Sequence, residues 1–241
     1  MNGLSAALAE IEAICEITSA NPPNADILVC PPVTLLHRAV QIAAGRIAIG
    51  AQDCHPDPSG AFTGDISAEM LRDAGATAVI VGHSERRQFH GEDNAAVAAK
   101  ALAGWRAGLM TIICVGETEE DRLCAGHLGV CQSQLAGSVP AGGTAANTVV
   151  AYEPVWAIGT GKTPVASEIA EMHAHIRGCL STGLGSAGAD IRILYGGSVK
   201  PSNARQILAL PEVGGALVGG ASLKATDFQA IFSAAHAAHE L

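Results

Sequence analysis

Large aromatic side chains are scarce in this sequence of 241 residues, of which 49% are hydrophobic but only 3% aromatic. A core with so few rings must consist mainly of Ala, Val, Ile and Leu, which suits helices packed on a buried parallel sheet. A chain of this length can bury one core of sizeable volume. We therefore expect a single α/β domain over residues 1–241.

Positive charge is also scarce, and the formal net charge is −9. No basic run could neutralise phosphates along a nucleic-acid strand. No apolar stretch reaches the roughly 20 residues that span a bilayer, and the start lacks the basic-then-apolar pattern of a signal peptide. These absences argue against nucleic-acid and membrane partners and predict a cytoplasmic protein. A small anionic ligand is still possible, because backbone amides bind anions locally.

The seven cysteines include no C-x-x-C pair and no zinc-like spacing, so we expect reduced thiols in a cytosolic protein. No G-x-G-x-x-G follows an apolar run and opens a helix, which argues against a nucleotide cofactor. His173 and His175 lie two positions apart on a helical segment and so point to different faces. We expect no metal and no cofactor, and we place both histidines at the surface.

Short apolar runs, often β-branched, alternate along the chain with Ala-rich segments of helical spacing. This alternation is typical of βα units, and it predicts seven parallel strands within a (β/α) barrel. The runs are Ile27–Cys30, Ile47–Ala51, Ala78–Val81, Met110–Val115, Thr148–Tyr152, Ile191–Tyr195 and Ala216–Val218.

Polar residues and glycines follow several of these runs. His83 comes shortly after Ala78–Val81, and Glu153 comes directly after Thr148–Tyr152. Chemistry in βα barrels gathers at the carboxyl ends of the strands, so this histidine and this glutamate should meet at one rim. Glycine pairs after the last two runs would let the backbone approach a phosphate. Each feature alone has an ordinary structural explanation, but their combination predicts a phosphate-binding acid–base site.

Longer segments of the chain resemble the triosephosphate isomerase family. The matching segments are G-H-S-E-R-R at 82–87, A-Y-E-P-V-W-A-I-G-T-G-K at 151–162, Y-G-G-S-V at 195–199, G-A-Q-D at 50–53 with G-A-F-T-G-D-I-S at 60–67, and C-V-G-E at 114–117. They extend from one end of the chain to the other. The resemblance implies a (β/α)8 TIM barrel that interconverts dihydroxyacetone phosphate and glyceraldehyde 3-phosphate in glycolysis and gluconeogenesis.

The resemblance also implies roles for individual residues. Glu153 would be the base that moves a proton between two substrate carbons, and His83 the electrophile at the carbonyl oxygen. Main-chain amides near four residues would hold the phosphate: Gly159, Ser198, Gly219 and Gly220. A lid would be formed by Pro154, Val155, Trp156, Ala157, Ile158, Gly159, Thr160, Gly161 and Lys162.

Two further residues carry expectations from the resemblance. Glu85 resembles the family's second acidic residue near the site, and the alternative is an ion pair with a nearby Arg or Lys. Thr63 lies in a loop that, in the family, inserts into a partner subunit. This loop predicts a homodimer.

The start of the chain departs from the family pattern. Members normally have a first strand ending in Asn-x-Lys-Met-Asn-Gly, whereas this sequence begins Met1-Asn2-Gly3. We therefore expect the first strand, with its Asn and Lys, to be missing, and we favour a natural chain that extends upstream by roughly a dozen residues. The alternatives are a shortened paralogue that no longer catalyses and an isomerase of a four-carbon sugar phosphate.

Adding a family-like first strand with its Asn and Lys should raise the isomerisation rate by on the order of 10²–10³, since a positioned cation stabilises developing negative charge. Steady-state assays with glyceraldehyde 3-phosphate, on the chain with and without this strand, measure the effect. Equal rates would contradict the expectation. Absence of activity in both would favour the silent paralogue.

Overall fold

The computed structural model describes residues 1–158 and 162–238. Its centre is a sheet of six parallel strands that pair in sequence order, each with the next along the chain. Parallel neighbours require a crossover between them, and helical segments provide it. The strands are β1 (Leu28–Val29), β2 (Ala48–Ala51), β3 (Ala78–Val81), β4 (Met110–Val115), β5 (Thr148–Tyr152) and β6 (Arg192–Tyr195).

The α-helices are α1 (Leu8–Ala20), α2 (Val33–Ala43), α3 (Ala68–Asp73), α4 (Ser84–His90), α5 (Asn94–Arg106), α6 (Glu119–Leu123), α7 (His127–Ser138), α8 (Ala166–Leu184), α9 (Ser186–Ala189), α10 (Ala204–Leu208) and α11 (Ala225–Ala238). Short 3-10 helices cover Ser5–Ala7, Val155–Ala157 and Gly220–Ser222. Within the described residues, no helix has the length and apolar character needed to cross a membrane.

Six of the seven predicted strands form, and the seventh prediction was wrong. Ala216 makes only an isolated bridge to Tyr195, whose main-chain N–H donates to the carbonyl of Gly215 at 3.0 Å and whose carbonyl accepts from the N–H of Leu217 at 2.9 Å. The run 216–218 lies between glycine pairs, and within the described residues its bridge to β6 does not continue into a ladder. Residues 1–27 contain no strand. The predicted upstream strand stays a prediction.

The core consists of two apolar layers on opposite faces of the sheet. Along β3, Ile80 faces the inner cluster, whereas Val79 and Val81 pack against helices on the other face. This alternation follows from the two-residue period of a strand. The inner cluster continues through Ile112, Cys114, Val149 and Ala151. These side chains fill the inner face of the sheet along β4 and β5.

A network of four charged side chains fixes α4 and α5 to the loop after β2. Lys100, only 8% exposed, places Nζ 2.7 Å from Asp53 and 2.6 Å from Glu92. Arg86 contacts the same two carboxylates, at 2.9 and 2.6 Å respectively. Because every buried charge here has an opposite partner, the network holds α4 at one position on the sheet.

The surface placement of two histidines was also wrong. His173 is fully buried on α8, with Nδ1 3.0 Å from the carbonyl oxygen of Glu212 and its ring edge-on to Tyr152 at 5.8 Å. Burial lowers the pKa of His173. His175 is half-buried and contacts the carbonyl oxygen of Leu128. Other segments of the chain cover α8 at both histidines. The spacing of residues within one helix does not predict such packing.

Candidate active site

The buried carboxylate of Glu153 is the centre of the site. It follows β5 directly and its main-chain N–H donates to the carbonyl of Val115 at 2.8 Å, which extends the β4–β5 ladder by one residue. The residue is 1% exposed. Oε2 accepts from the main-chain N–H of Ser84 at 2.9 Å, and Oε1 accepts from the Ser84 hydroxyl at 3.3 Å. These donors offset the loss of water around the carboxylate.

His83 lies against the same carboxylate, with Nε2 2.8 Å from Oε1 of Glu153. It follows β3 after a turn at Gly82, where φ is +66°, and it is the N-cap of α4. Nδ1 accepts from the main-chain N–H of Glu85 at 3.3 Å. A nitrogen that accepts carries no proton, so this arrangement fixes the neutral tautomer with a hydrogen on Nε2.

Two opposing effects act on the pKa of His83. Burial disfavours the imidazolium, but the hydrogen bond to Glu153, its charge and the charge of Glu85 outweigh burial, so the pKa lies above its usual value. The carboxylate of Glu85 is exposed and lies 3.8 Å from Nδ1 of His83. Among the described contacts, the Glu85 carboxylate lies near the histidine and forms no ion pair with an Arg or Lys.

Two further buried residues lie in the segment 114–117, at and just after the end of β4. Burial, followed by the charge of Glu153, raises the pKa of the Cys114 thiol well above its usual value, so the thiol stays protonated. Glu117 is 0% exposed and accepts from the Tyr152 hydroxyl at 3.1 Å, the Trp156 ring N–H at 2.9 Å and Arg122 at 3.2 Å. Sequence reasoning assigned no role to Ser84 or Glu117, although both lie in segments that resemble the family.

The first residues of the predicted lid form a hydrogen-bonded turn. Val155–Ala157 forms a 3-10 turn, and the Val155 N–H donates to the carbonyl of Glu117 at 3.1 Å. Pro154 and Ile158 flank this turn, and Lys162 forms an ion pair with Glu119. Gly159, Thr160 and Gly161 lie outside the described residues.

The glycine loops come close to Glu153. A Cβ added at Gly196 would lie 2.9 Å from Cγ of Glu153, so only glycine fits beside the carboxylate. Within the described part of the chain, the main-chain N–H groups of Ser198, Gly219 and Gly220 donate to no protein acceptor. Among the described residues, no acceptor therefore occupies these three predicted phosphate donors, and phosphate binding stays a prediction.

Thr63 lies away from these contacts, in an exposed turn closed by the N–H of Asp65 and the carbonyl of Phe62 at 3.0 Å. Gly64 has φ +100°, which this turn requires. The Phe62 ring packs on His55 at 4.0 Å. The loop is thus ordered and projects its tip into solvent.

Comparisons with known proteins agree on one family. The triosephosphate isomerase family model matches residues 1–235. Curated relatives named triosephosphate isomerase include one from Rhodopseudomonas palustris, 61% identical over 96% of this chain and 92% of its own length, and one from Bradyrhizobium diazoefficiens at 56%, with the same coverage. A crystal structure of triosephosphate isomerase from Bartonella henselae has a TM-score of 0.91 and 49% identity, covering 97% of this chain and 94% of that one. The fold is an α/β TIM barrel.

The titration of His83 tests the site geometry. In E153Q, the pKa of His83 should fall below its usual value of about 6.5, because burial then acts without the opposing carboxylate. Histidine ring NMR during a pH titration measures it. The matched change E85Q, which removes only a weaker charge effect, should lower the pKa of His83 less. A larger fall in E85Q than in E153Q would contradict the geometry.

Proposed function

The chain belongs to the triosephosphate isomerase family and is an isomerase, and from this premise we propose that it moves a proton between adjacent carbons of a triose phosphate through an enediolate. The observation that carries the proposal is the 2.8 Å contact between Nε2 of His83 and the buried carboxylate of Glu153. The contact puts a base and a hydrogen-bond donor within reach of the same small substrate.

In the proposed reaction, Glu153 takes a proton from the hydroxyl-bearing carbon next to the carbonyl and returns it to the former carbonyl carbon, while the hydroxyl proton passes to the former carbonyl oxygen. Substrate must first draw the carboxylate from its bonds with Ser84. The Nε2 hydrogen of His83 then faces the substrate oxygen, where negative charge develops in the transition state. Reversing the two proton transfers converts the aldose back to the ketose.

The phosphate would be held by the main-chain amides of Ser198, Gly219 and Gly220, together with Gly159 of the lid. Main-chain N–H groups after β6 and after the bridge at Ala216 that meet no acceptor among the described residues suit a dianion, and they need no positive side chain. Closure of Pro154–Lys162 would exclude water from the labile enediolate. No metal or cofactor takes part in this scheme.

We further propose a cytoplasmic homodimer that serves glycolysis and gluconeogenesis. The support for the dimer is the projecting turn at Thr63, whose neighbour Phe62 is 43% exposed. An exposed aromatic at the tip of an ordered loop is suited to insertion into a partner surface.

Replacing Thr63 with Arg should weaken the dimer at least tenfold in dissociation constant, because the insertion would bury an unpaired charge. Sedimentation velocity over a concentration series measures the dissociation constant. The control is S59R, an equal charge on the same exposed loop. A wild-type chain that is monomeric at all concentrations would disprove the dimer, and equal weakening by both variants would disprove insertion at Thr63.

Replacing Glu153 with Gln should lower kcat by about 10²–10⁴, the range supplied by a positioned general base, with a smaller effect on KM. The amide keeps the volume and can still accept from Ser84, so the loss reports basicity. Steady-state rates with glyceraldehyde 3-phosphate measure it, with E16Q at an exposed position of α1 as control.

Retention of more than a tenth of wild-type kcat by E153Q would show that Glu153 is not the base.

The same assay separates the alternative functions. Higher kcat/KM on a four-carbon sugar phosphate would favour that substrate, whereas no turnover on either by the wild-type protein would favour a silent barrel.

A further inference from the structure

Strand β4 extends beyond its neighbour β3. The last pair in their register is Val81 with Ile113, and the chain turns away after Val81 at Gly82. On its other side β4 remains paired with β5 through Val115. The main-chain groups of β4 that face β3 therefore lose their ladder partners at the height of the active site, where unpaired buried groups would be costly.

Side chains from two helices replace the missing strand. Arg87 of α4 donates to the carbonyl of Cys114 at 3.1 Å. Gln134 of α7 makes both bonds to Gly116: its Oε1 accepts from the N–H at 2.7 Å, and its Nε2 donates to the carbonyl at 2.9 Å. A side-chain carboxamide has the donor and acceptor of a peptide unit, so Gln134 substitutes for one residue of β3.

The peptide that Gln134 holds is in direct contact with the catalytic base. A Cβ added at Gly116 would lie 1.7 Å from the carbonyl oxygen of Glu153, so the two backbones touch and only glycine fits. The residues on either side of Gly116 accept the ladder bonds from Glu153 and Val155, at 2.8 and 3.1 Å. Gln134 and Glu153 also line the same cavity of about 440 Å³.

We propose that Gln134 is a positioning residue for the reaction, because it fixes the Gly116 peptide that sets the height of Glu153 and the start of the lid. This inference rests on the proposed function, in which Glu153 is the base. Gln134 touches neither reacting carbon. It acts through the main chain, so its loss should impair proton transfer more than substrate binding.

The first test replaces Gln134 with Met, which has similar length but bonds neither group of Gly116. We expect kcat to fall by about 10- to 100-fold, in line with the effect of a base misplaced by up to an ångström, while KM changes less than about threefold. The control is Q132M, the same change on the same helix at an exposed position. Rates are expressed per folded molecule, measured by circular dichroism.

The second measurement separates positioning from a purely structural role. With substrate deuterated at the transferred position, the isotope effect on kcat should be larger in Q134M than in the wild type, because proton transfer becomes slower relative to the other steps. Fewer folded molecules would leave the isotope effect unchanged.

The third variant is Q134E, which keeps one oxygen acceptor and gains a titratable group. Ionised, it repels the Gly116 carbonyl; protonated, it donates to that carbonyl and restores both bonds. The ratio of kcat in Q134E to kcat in Q134M should therefore rise several-fold as the pH falls from 7 to 5, toward the ordinary glutamate pKa of about 4.3. This variant also tests the proposal should Q134M fail to fold.

The proposal is overturned if Q134M keeps kcat within twofold of the wild type, or if its lower rate comes with an unchanged isotope effect. For Q134E, a ratio that does not vary with pH overturns it as well. These outcomes differ from a failure of the proposed function, which would show in the wild-type protein itself as an absence of triose phosphate isomerisation.

Discussion

The ladder between β4 and β5 is the constraint on which the site depends, because a buried carboxylate follows each of these two paired strands. Glu117 lies two residues after β4 and Glu153 follows β5 directly, and they are 0% and 1% exposed. Two such carboxylates without donors would destabilise the fold severely. The structure gives each its own donors: tyrosine, tryptophan and arginine side chains for Glu117, and the start of α4 for Glu153. The first carboxylate thereby binds the Trp156 ring N–H in the predicted lid, and the second is the proposed base.

The first two main-chain N–H groups of helix α4 donate hydrogen bonds to the two proposed reacting groups. The N–H of Ser84 donates to Glu153, and the N–H of Glu85 donates to Nδ1 of His83. The first turn of a helix has no internal acceptors for these donors. In this structure these two donors bind the Glu153 carboxylate and fix the tautomer of the His83 ring. The position of α4 therefore determines where both donors lie. The ion pairs of Arg86 with Asp53 and Glu92 hold this helix in place.

Sequence patterns located the central strands well and the periphery less well. The runs Ala78–Val81, Met110–Val115 and Thr148–Tyr152 are strands at the predicted bounds, since β-branched residues buried on both faces leave a continuous signal. The run at 216–218 forms only one bridge to β6 and no strand, because a strand needs continued pairing with a neighbour as well as apolar residues. The meeting of His83 and Glu153 followed from the rule that strand ends share a rim, while their roles came only from the family resemblance.

The contacts that local pattern could not reveal are those that close gaps between elements. Ser84 meets Glu153 across 69 residues of sequence, and Gln134 meets Gly116 across 18. Ser84 bonds a buried carboxylate, and Gln134 bonds main-chain groups left without partners where β4 extends beyond β3. The identity of such a residue depends on the difference in length between β3 and β4 and on which helix lies opposite. From the sequence alone, a polar residue on a helix face is expected to face solvent. In the barrel, Gln134 instead bonds the main chain that continues β4, although its own helix is not part of the sheet.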